Sequence, residues 1–578
     1  MILQSLAAYY QALNAKGSIS PPGWSPAKVT FALELAQDGA LIGLRSLKVS
    51  SADGKKEVAQ VMRAPEQVKR AAGINPNYLC DNSSYFLGVD AKGKPARTLE
   101  CFAAARQRHH ALLDGVDSGA ARAVLAFFDT WQPAAAAEHP VLAPYWEQLM
   151  AGVNLVFYVQ NTYAQEDAAI QAAWQASLTD ANSAPRRCLV TGEVGPIARL
   201  HPSIKGVQGA QGTGASLVSF NLPAFRSYGH EQGDNAPVSE AAAFAYGTAL
   251  NALLADREHV QHIADTTVVF WAEDAEPAYQ DLFSAGLFGS ASITQADLKS
   301  VLGALAHGRA VNWEGIPLQP DNHFFVLGLA PSAARLSVRF FLQDTFGGFA
   351  ENLDAHYRRL EIVTPPFEKS PMLSLWRLLN ETANQNATSK TPPPPLVQGT
   401  LQAILHGADY PAALFENVML RIRAERDVTW RKAAILKAYL SKNKGITVPE
   451  EVLQVRLNDQ SDYLPYLLGR LFAMLEKIQR DASPGIKATI RDKYFNSASA
   501  TPATIFSLLI KLSQAHLKKL DTGLRIHWEG VLAQLYGQIG ETYPERLTLQ
   551  EQGAFHIGYY HQQQKLYEKK NKEESPNV

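Results

Sequence analysis

Four consecutive prolines, residues 392–395, constrain the fold of this chain more than any other segment. Proline has a fixed φ and no backbone N–H, so a run of prolines cannot continue inside a helix or a central strand. We therefore predict a stiff linker over residues 391–400. Residues 1–390 mix strand and helix patterns, whereas residues 401–568 have helical periodicity almost throughout. The predicted fold class is α+β: a mixed α/β N-terminal region with a long glycine-rich loop, followed by a C-terminal helical bundle.

The N-terminal region is predicted to contain two subdomains, near residues 1–150 and 151–390. Apolar and polar residues alternate on both sides of Gln37-Asp38-Gly39, which predicts a β-hairpin over residues 28–49. Similar patterns predict helices over 97–113, 120–131 and 239–254, and strands over 153–159, 216–221, 266–271, 324–329 and 333–342.

The C-terminal region is predicted to be helical up to a charged tail. The tail, residues 569–578, is predicted to be disordered because it is rich in charged residues. The predicted helices cover residues 414–426, 429–441, 463–480, 501–519, 522–539 and 549–568.

Composition favours a large globular protein of the cell interior. The chain has 578 residues, 46% of them hydrophobic, and a formal net charge of -1. Three cysteines, Cys80, Cys101 and Cys188, lack CxxC spacing, which argues against a zinc ribbon and fits a reducing compartment. No segment reaches the ~20 apolar residues of a membrane span, and the N-terminus does not resemble a signal peptide. We therefore expect a soluble, cytoplasmic protein with no membrane partner.

A glycine-rich segment is the main candidate for a binding site. Six glycines fall within residues 192–214. Clustered glycines allow a backbone to approach a ligand closely, and glutamine amides can read base edges. The order of residues matches neither GxxxxGK[ST] nor GxGxxG, so a phosphate-binding loop is only weakly indicated. A surface loop without a ligand is the alternative. The candidates here are Lys205, Gly206, Gln208, Gly209 and Gln211.

Two other segments carry side chains that suit nucleic acid. After the glycine-rich segment, Asn221, Arg226 and Tyr228 combine an amide, a cation and an aromatic ring, which suit phosphate contact and base stacking. An earlier loop offers amides for groove contact, with Asx turns and helix capping as the alternative. The amides of that loop belong to Asn75, Asn77 and Asn82.

The C-terminal region carries an excess of positive charge. Residues 401–578 hold 24 Lys and Arg against 19 Asp and Glu. Cations concentrate near residue 425 at spacings that suggest one helical face, which would suit contact with a nucleic-acid backbone. An ordinary solvated helix surface is the alternative. The candidates are Arg421, Arg423, Arg431 and Lys432.

Motifs for catalysis are weak. His259 and His262 have HxxH spacing on a predicted helix, but the motif lacks the glutamate and third ligand of a zinc enzyme. The acidic run at residues 273–276 is better explained as a helix start. We therefore expect no catalytic residue, no metal and no cofactor. A glycine-loop nucleotide-binding enzyme and a purely structural scaffold are the alternatives to a nucleic-acid-binding subunit.

Several short motifs occur in a characteristic order. They lie at residues 191–192, 197–211, 214–221, 224–229, 235–240 and 243–251, with others at 79–88 and 463–473. Together they resemble the large subunit of the type I-C CRISPR Cascade, a surveillance complex; this subunit is a Csd-type CRISPR-associated protein. The resemblance spans the chain, and its central block is specific.

The resemblance implies a non-catalytic subunit that recognises a protospacer-adjacent motif in duplex DNA, assists unwinding and stabilises the R-loop. It implies partners: the backbone, foot and small subunits, the guide RNA, the target duplex with its displaced strand, and a helicase-nuclease that the subunit helps to recruit. In RNA-guided recognition, base pairing reads most of the sequence and the protein reads the short motif. The resemblance also implies that the small subunit is translated from an internal start within this reading frame. Met474 is one candidate start, and a non-AUG start near residues 452–457 is preferred because it keeps the helix predicted from residue 463 intact.

Overall fold

The computed structural model describes residues 1–50, 56–68, 73–178, 185–289, 293–368, 372–384, 392–540 and 542–568. They form two compact units, each made of two chain segments. The first unit comprises Met1–Pro202 and Val218–Ala249, and the second comprises Ser203–Leu217 and Leu250–Val578. The predicted fold class is confirmed, because strands and helices mix in the N-terminal region and the chain after the proline run is helical.

Three sheets form the strand framework of the first unit. Its strands are β1 (Trp24–Val29), β2 (Phe31–Leu35), β3 (Leu41–Ser46), β4 (Lys48–Ser50), β5 (Glu57–Pro65), β6 (Cys80–Asn82), β7 (Asn154–Val159), β8 (Thr162–Tyr163), β9 (Arg186–Arg187) and β10 (Val194–Gly195). The largest sheet has the order β3-β2-β7-β6, with β8 paired to β7; the others are β1-β5-β4 and β10-β9. Strands β2 and β7 are parallel, and β2 and β3 form the predicted antiparallel hairpin.

The turn of that hairpin requires its glycine. Gly39 has φ +84°, and a Cβ added there would lie 2.4 Å from the backbone nitrogen of Phe127. Helices cover the sheet and bury an aromatic core that includes Phe86, Phe128 and Phe157. The helices of this unit are α1 (Ile2–Ala15), α2 (Ser83–Phe86), α3 (Pro95–Leu113), α4 (Gly119–Thr130), α5 (Trp146–Met150), α6 (Ala168–Ser177) and α7 (Glu240–Ala255), the last of which continues past the unit boundary at residue 249.

The second unit contains a six-stranded sheet. The strands of this unit are β11 (Ser203–Ile204), β12 (Ala215–Ser216), β13 (Gln261–Ile263), β14 (Thr266–Ala272), β15 (Val311–Trp313), β16 (Ile316–Leu318), β17 (His323–Ser332) and β18 (Arg335–Thr345). The six-stranded sheet has the order β11-β12-β18-β17-β14-β13, and β15 and β16 form a separate hairpin. The strand predicted over 216–221 ends at Ser216, so only its first residue is extended in the sheet.

Twelve helices of the described second unit follow in the chain. They are α8 (Pro277–Phe288), α9 (Gln295–Ala306), α10 (Phe346–Leu360), α11 (Leu375–Asn380), α12 (Pro394–Leu405), α13 (Ala412–Glu425), α14 (Trp430–Lys442), α15 (Leu464–Ala482), α16 (Ile490–Ala500), α17 (Pro502–Leu517), α18 (Thr522–Ile539) and α19 (Leu549–Tyr567). None of the helices in the described part of the chain combines the length and apolar character that a membrane span needs.

The proline run begins a helix instead of separating two domains. Helix α12 starts at Pro394, where proline is tolerated because the first-turn N–H groups have no partner within the helix. Leu396 and Leu401 of this helix are buried in the same core as Phe324 of the sheet. The linker predicted over 391–400 is therefore helical from Pro394 on. Residue 391 and the tail, residues 569–578, lie outside the described residues.

Candidate nucleic-acid interface

The glycine-rich segment is a loop at one edge of the six-stranded sheet. Residues 205–214 connect β11 to β12, and neither a helix nor a strand occurs within them. The backbone N–H of Lys205 donates to Oδ1 of Asn251 at 2.8 Å, and the N–H of Gln208 donates to Oγ1 of Thr267 at 3.0 Å. The Asn251 amide also donates to the carbonyl of Ser203 at 3.1 Å. The loop backbone is thus held to residues of its own unit.

Glycine is required at the end of this loop. Gly214 has φ +99°, and a Cβ added there would lie 2.4 Å from Oγ of Ser203 and 2.9 Å from the carbonyl oxygen of Ile204. Gly206 and Gly209 also have positive φ, +91° and +77°. A left-handed backbone of this kind is costly for any residue with a Cβ.

The polar side chains of the loop face solvent. Lys205, Gln208 and Gln211 are exposed, whereas Val207 between them is 5% exposed and anchors the loop. Within the described part of the chain, none of the three polar side chains has a hydrogen-bond or ion-pair partner. The arrangement combines a fixed backbone with donors and acceptors that remain available to a ligand.

The second predicted segment presents an aromatic ring from a fixed turn of the first unit. Tyr228 is 96% exposed and has φ +52°, followed by Gly229 at +77°. Asn235 holds the turn, since its Oδ1 accepts from the Ser227 N–H at 2.9 Å and its amide donates to the Gln232 carbonyl at 2.9 Å. An exposed tyrosine on a preset turn can stack without a further cost of ordering the backbone.

Two further residues of this segment are accessible. Arg226 pairs with Glu231 at 2.8 Å, and both side chains are at least half exposed, so a phosphate could compete for the guanidinium. Asn221 is exposed and has an interaction of its own. Both residues therefore stay candidates.

The asparagine loop is largely committed to local structure. Asn77 is 4% exposed, and its side chain accepts from the Val68 N–H at 2.8 Å and donates to Gln67 at 2.7 Å. Asn82 caps α2 by accepting from the Ser84 N–H at 3.0 Å. These contacts match the capping alternative. Asn75 is exposed and is the accessible member of the set.

The predicted basic face is divided between two helices. Arg421 is half-buried and Arg423 is exposed on α13, and Arg423 donates to Oε1 of Gln552 at 2.7 Å. Arg431 and Lys432 lie on α14 instead. The single face suggested by the spacing is wrong, because the chain turns between residues 425 and 430.

The two candidate cations on α14, Arg431 and Lys432, are paired with carboxylates of the protein. Lys432 is 3% exposed and pairs with Glu425, so it is not available at the surface. Arg431 lies 3.6 Å from both Glu368 and Glu381. A buried, paired cation contributes little to binding of an external phosphate. Lys432 is therefore removed from the predicted strand-binding set, and Arg431 is partly neutralised.

The HxxH pair is not on a helix. His259 lies in a turn, where its ring nitrogens contact Asp256 at 2.6 Å and Asp281 at 2.7 Å, while His262 lies on β13. Both ring nitrogens of His259 are therefore engaged. No group of three or more residues suited to a metal ion occurs among the described histidines, cysteines and acids.

The residues that fix the loops were not found from the sequence. Asn251 and Thr267 hold the glycine-rich loop, and Asn235 holds the Tyr228 turn. One sequence feature could have indicated the role of Asn251. It is a lone amide in the last part of an Ala-rich helix, where a polar side chain often has a specific hydrogen-bond partner.

The family of the chain follows from its comparison with known proteins. A family model described as CRISPR-associated protein (Cas_Csd1) matches residues 6–567. The matched range includes the glycine-rich loop, the Tyr228 turn and nearly all of the helices, so the match extends over both units. The chain belongs to the Csd1 family. Among curated proteins, none matches it.

Proposed function

We propose that the chain is the large subunit of a type I-C Cascade and recognises the protospacer-adjacent motif in duplex DNA. The observation that carries this proposal is the loop at residues 205–214, whose backbone is fixed while Lys205, Gln208 and Gln211 remain exposed and unpaired within the described structure. Glutamine amides can form paired hydrogen bonds with an adenine edge, and lysine suits a phosphate. The proposal assigns no catalytic step to this chain.

The other parts of the proposal follow from family membership and the exposed candidates. Asn75, Asn221, Arg226 and Tyr228 are accessible for contact with the opened duplex. Arg421 and Arg423 supply surface charge for the displaced strand. The guide RNA, the backbone, foot and small subunits and the helicase-nuclease are the proposed partners in the cytoplasm.

Removing the loop amides should weaken motif discrimination. We expect Gln208→Ala and Gln211→Ala together to reduce the preference of the assembled complex for a motif-containing duplex by at least ~10-fold, since a bidentate base contact is worth about 1–3 kcal/mol. The measurement is equilibrium binding of the complex to duplexes that differ only beside the protospacer. Gln514→Ala, an exposed glutamine on α17, is the matched control.

Two outcomes would contradict the proposal. Unchanged discrimination in the double variant would remove the loop from motif reading. Full discrimination by a complex that lacks this chain would leave it as a structural scaffold. Binding of ATP by the isolated chain would favour the nucleotide-binding alternative instead.

The helices after residue 457 support the proposed internal start. Helices α15 to α19 pack on one another, and α15 begins at Leu464. Met474 is 3% exposed in the middle of α15, so a start there would remove half of that helix. A start near residues 452–457 would keep all five helices. We expect two products of this reading frame on a denaturing gel of the native operon, and a single product would contradict the internal start.

A further inference from the structure

One face of a small sheet in the first unit carries three cations. Each strand of the sheet β1-β5-β4 contributes one of them: Lys28 on β1, Arg63 on β5 and Lys48 on β4. The register places Lys28 opposite Val61 and Lys48 opposite Ala59. Opposed residues, and residues two positions apart in one strand, point to the same face of a sheet. Lys28, Lys48 and Arg63 therefore share one face, which we call the basic sheet face.

The other face of this sheet is packed against the protein. Ala27 and Val29 alternate with Lys28 along β1 and are buried in a core that is shared with the larger sheet. On the basic sheet face, Lys28 and Arg63 are exposed, and Val61 beside them is 61% exposed. This alternation is typical of a sheet with one packed side and one side open to solvent. The basic sheet face is therefore accessible to a partner.

Two of the three cations lie over aromatic rings. The guanidinium carbon of Arg63 lies 5.2 Å from the ring centroid of Trp24, and Nζ of the half-buried Lys48 lies 5.8 Å from that of Phe31. Such contacts orient a cation and leave its N–H donors available. Within the described part of the chain, the side chains of Lys28, Lys48 and Arg63 have neither an ion-pair nor a hydrogen-bond partner. The donors of all three thus remain available to an anion.

The charge of the basic sheet face favours an anionic partner. The three strands contain one acid, Glu57, which lies opposite Ser50 at the end of β5 that is distant from Arg63. Three cations and one carboxylate leave a formal charge of +2 on the three strands. Charge alone attracts any anion, so the spacing of the cations has to identify the partner.

The spacing of the cations indicates a polymer of phosphates. Lys28 and Arg63 are diagonal neighbours on adjacent strands, so their Cα atoms are about 7–8 Å apart. Lys48 lies two strands away from Lys28, which corresponds to about 10 Å across the sheet. A row of phosphates matches cations spread over this distance better than a single anion does, and a nucleic-acid backbone supplies such a row.

The exposed surface around the cations favours a duplex over a single strand. Sites for single strands stack the bases on exposed aromatic rings. Here the rings are covered, since Trp24 is 6% exposed and Phe31 is fully buried, and the exposed apolar surface is aliphatic, from Pro26 and Val61. Unstacked bases would gain little on this face. A duplex keeps its bases stacked and offers its phosphates to the cations.

We propose that the basic sheet face binds the sugar–phosphate backbone of duplex DNA without reading its sequence. The proposal rests on the proposed function in one respect, which is that a target duplex reaches the first unit. The two contacts differ in kind. The loop at residues 205–214 sets the preference for a motif, whereas the basic sheet face raises the affinity for every duplex equally, because phosphate contacts carry no sequence information.

The test removes charge from this face and follows the salt dependence of binding. The assembled complex is titrated with a motif-containing duplex, a motif-mutated duplex and the displaced strand alone at several salt concentrations. We expect Lys28→Gln with Arg63→Gln to weaken binding of both duplexes by the same factor, about 10-fold or more at ~0.1 M salt. The slope of log K against log salt should become shallower by about 2. The ratio of the two duplex affinities should stay at the wild-type value.

Two control variants separate the charge of this face from charge in general. Lys28→Arg with Arg63→Lys keeps both cations and should retain the wild-type salt slope. Lys92→Gln with Lys94→Gln removes the same charge from two exposed lysines of the first unit that lie outside the sheet. Because salt screens distant surface charges, this variant should keep both duplex affinities within about 2-fold of the wild type.

Four results would overturn the proposal for the basic sheet face. Wild-type affinities in the glutamine variant would show that no phosphate is bound there. An equal loss in the Lys92 and Lys94 control would reveal an effect of net charge alone. A loss confined to the displaced strand would assign the face to single-stranded DNA. Loss of guide RNA from the purified glutamine variant would mean that the face holds RNA of the complex.

The same titrations report on the proposed function separately. Each of those four results leaves motif recognition intact as long as the wild-type complex prefers the motif-containing duplex. Equal binding of both duplexes by the wild-type complex would overturn motif recognition instead, and the salt slopes of the variants would still decide whether the basic sheet face binds a duplex.

Discussion

Replacing Gly469 by alanine is expected to lower the free energy of unfolding of the second unit by at least ~3 kcal/mol. Helices α15 and α19 approach so closely that a Cβ at Gly469 would lie 2.0 Å from the carbonyl oxygen of Phe555 and 2.8 Å from the backbone nitrogen of Tyr559. The contact is reciprocal, since a Cβ at Gly558 would lie 2.2 Å from the carbonyl oxygen of Tyr466. Backbone atoms cannot rotate aside, so the two helices would have to separate.

Gly537→Ala on α18 is the matched control. No atom lies within 4 Å of a Cβ added at Gly537. Alanine has the higher helix propensity, so this variant should gain about 0.5–1 kcal/mol. Thermal and urea unfolding of both variants, monitored by helical circular dichroism, should therefore shift in opposite directions. A Gly469→Ala protein that unfolds at the wild-type midpoint would show that the helices do not need this contact.

Local patterns were sufficient where the structure depends on neighbours in the sequence. The hairpin over residues 28–49 was predicted because its turn needs glycine at residue 39, and the helix Glu240–Ala255 was predicted within two residues. The close approach at Gly469 was not foreseeable, because it depends on a partner helix some 90 residues later in the chain. Periodicity assigns a face to a helix but does not identify what packs on it.

The division into units also depends on distant pairing. Strand β12 pairs in parallel with β18 through Ser216 and Arg335, and this pairing places residues 203–217 in the second unit. No local signal marks such an insertion. The linker predicted from the proline run was wrong because of an ambiguous local signal. Proline ends a helix when it lies in the interior, but it is also favoured at the first position, where Pro394 begins α12.

Sequence composition predicted the exposure of the glycine-rich loop better than that of the other candidate segments. The loop at residues 205–214 has the exposed polar side chains that its composition suggested. Lys432 shows why charge alone is insufficient, because a lysine beside Glu425 can be buried and paired as easily as exposed. Asn77 and Asn82 show that an amide in a loop often serves the loop itself.

Mild acid is expected to destabilise the second unit strongly. Burial lowers the pKa of His356, His556 and His561 to about 3, with nearby cations adding to the effect. An unfolded histidine has a pKa of about 6.5. Below that pH the unfolded chain binds protons that the folded unit does not, so stability falls as pH falls from about 6.5 towards 3. Each histidine should account for about 2 kcal/mol at pH 5.

His556 allows this contribution to be isolated. Neither of its ring nitrogens has a hydrogen-bond partner within the described residues, and its ring stacks on Phe495 with centroids 5.3 Å apart. The free energy of unfolding of His556→Phe should therefore be close to that of the wild type at pH 7.5 and higher by about 2 kcal/mol at pH 5. Urea unfolding at both pH values measures the difference. An acid dependence identical to that of the wild type would mean that His556 is protonated in the folded protein.

His259 should respond in the opposite direction and serves as the control. Burial acts to lower its pKa, but hydrogen bonds and charge from Asp256 and Asp281 outweigh burial and raise the pKa. The folded unit therefore holds this proton more tightly than the unfolded chain does. The resulting stability is fully present below pH ~6.5 and is lost as pH rises through the folded pKa. The free energy of unfolding of His259→Gln should accordingly lie furthest below that of the wild type at pH 6 and approach it at pH 9. The free energy of unfolding of His556→Phe should differ from that of the wild type only in acid. Parallel curves for the two variants would contradict both assignments, because burial and a nearby cation lower the pKa of His556, whereas Asp256 and Asp281 raise that of His259.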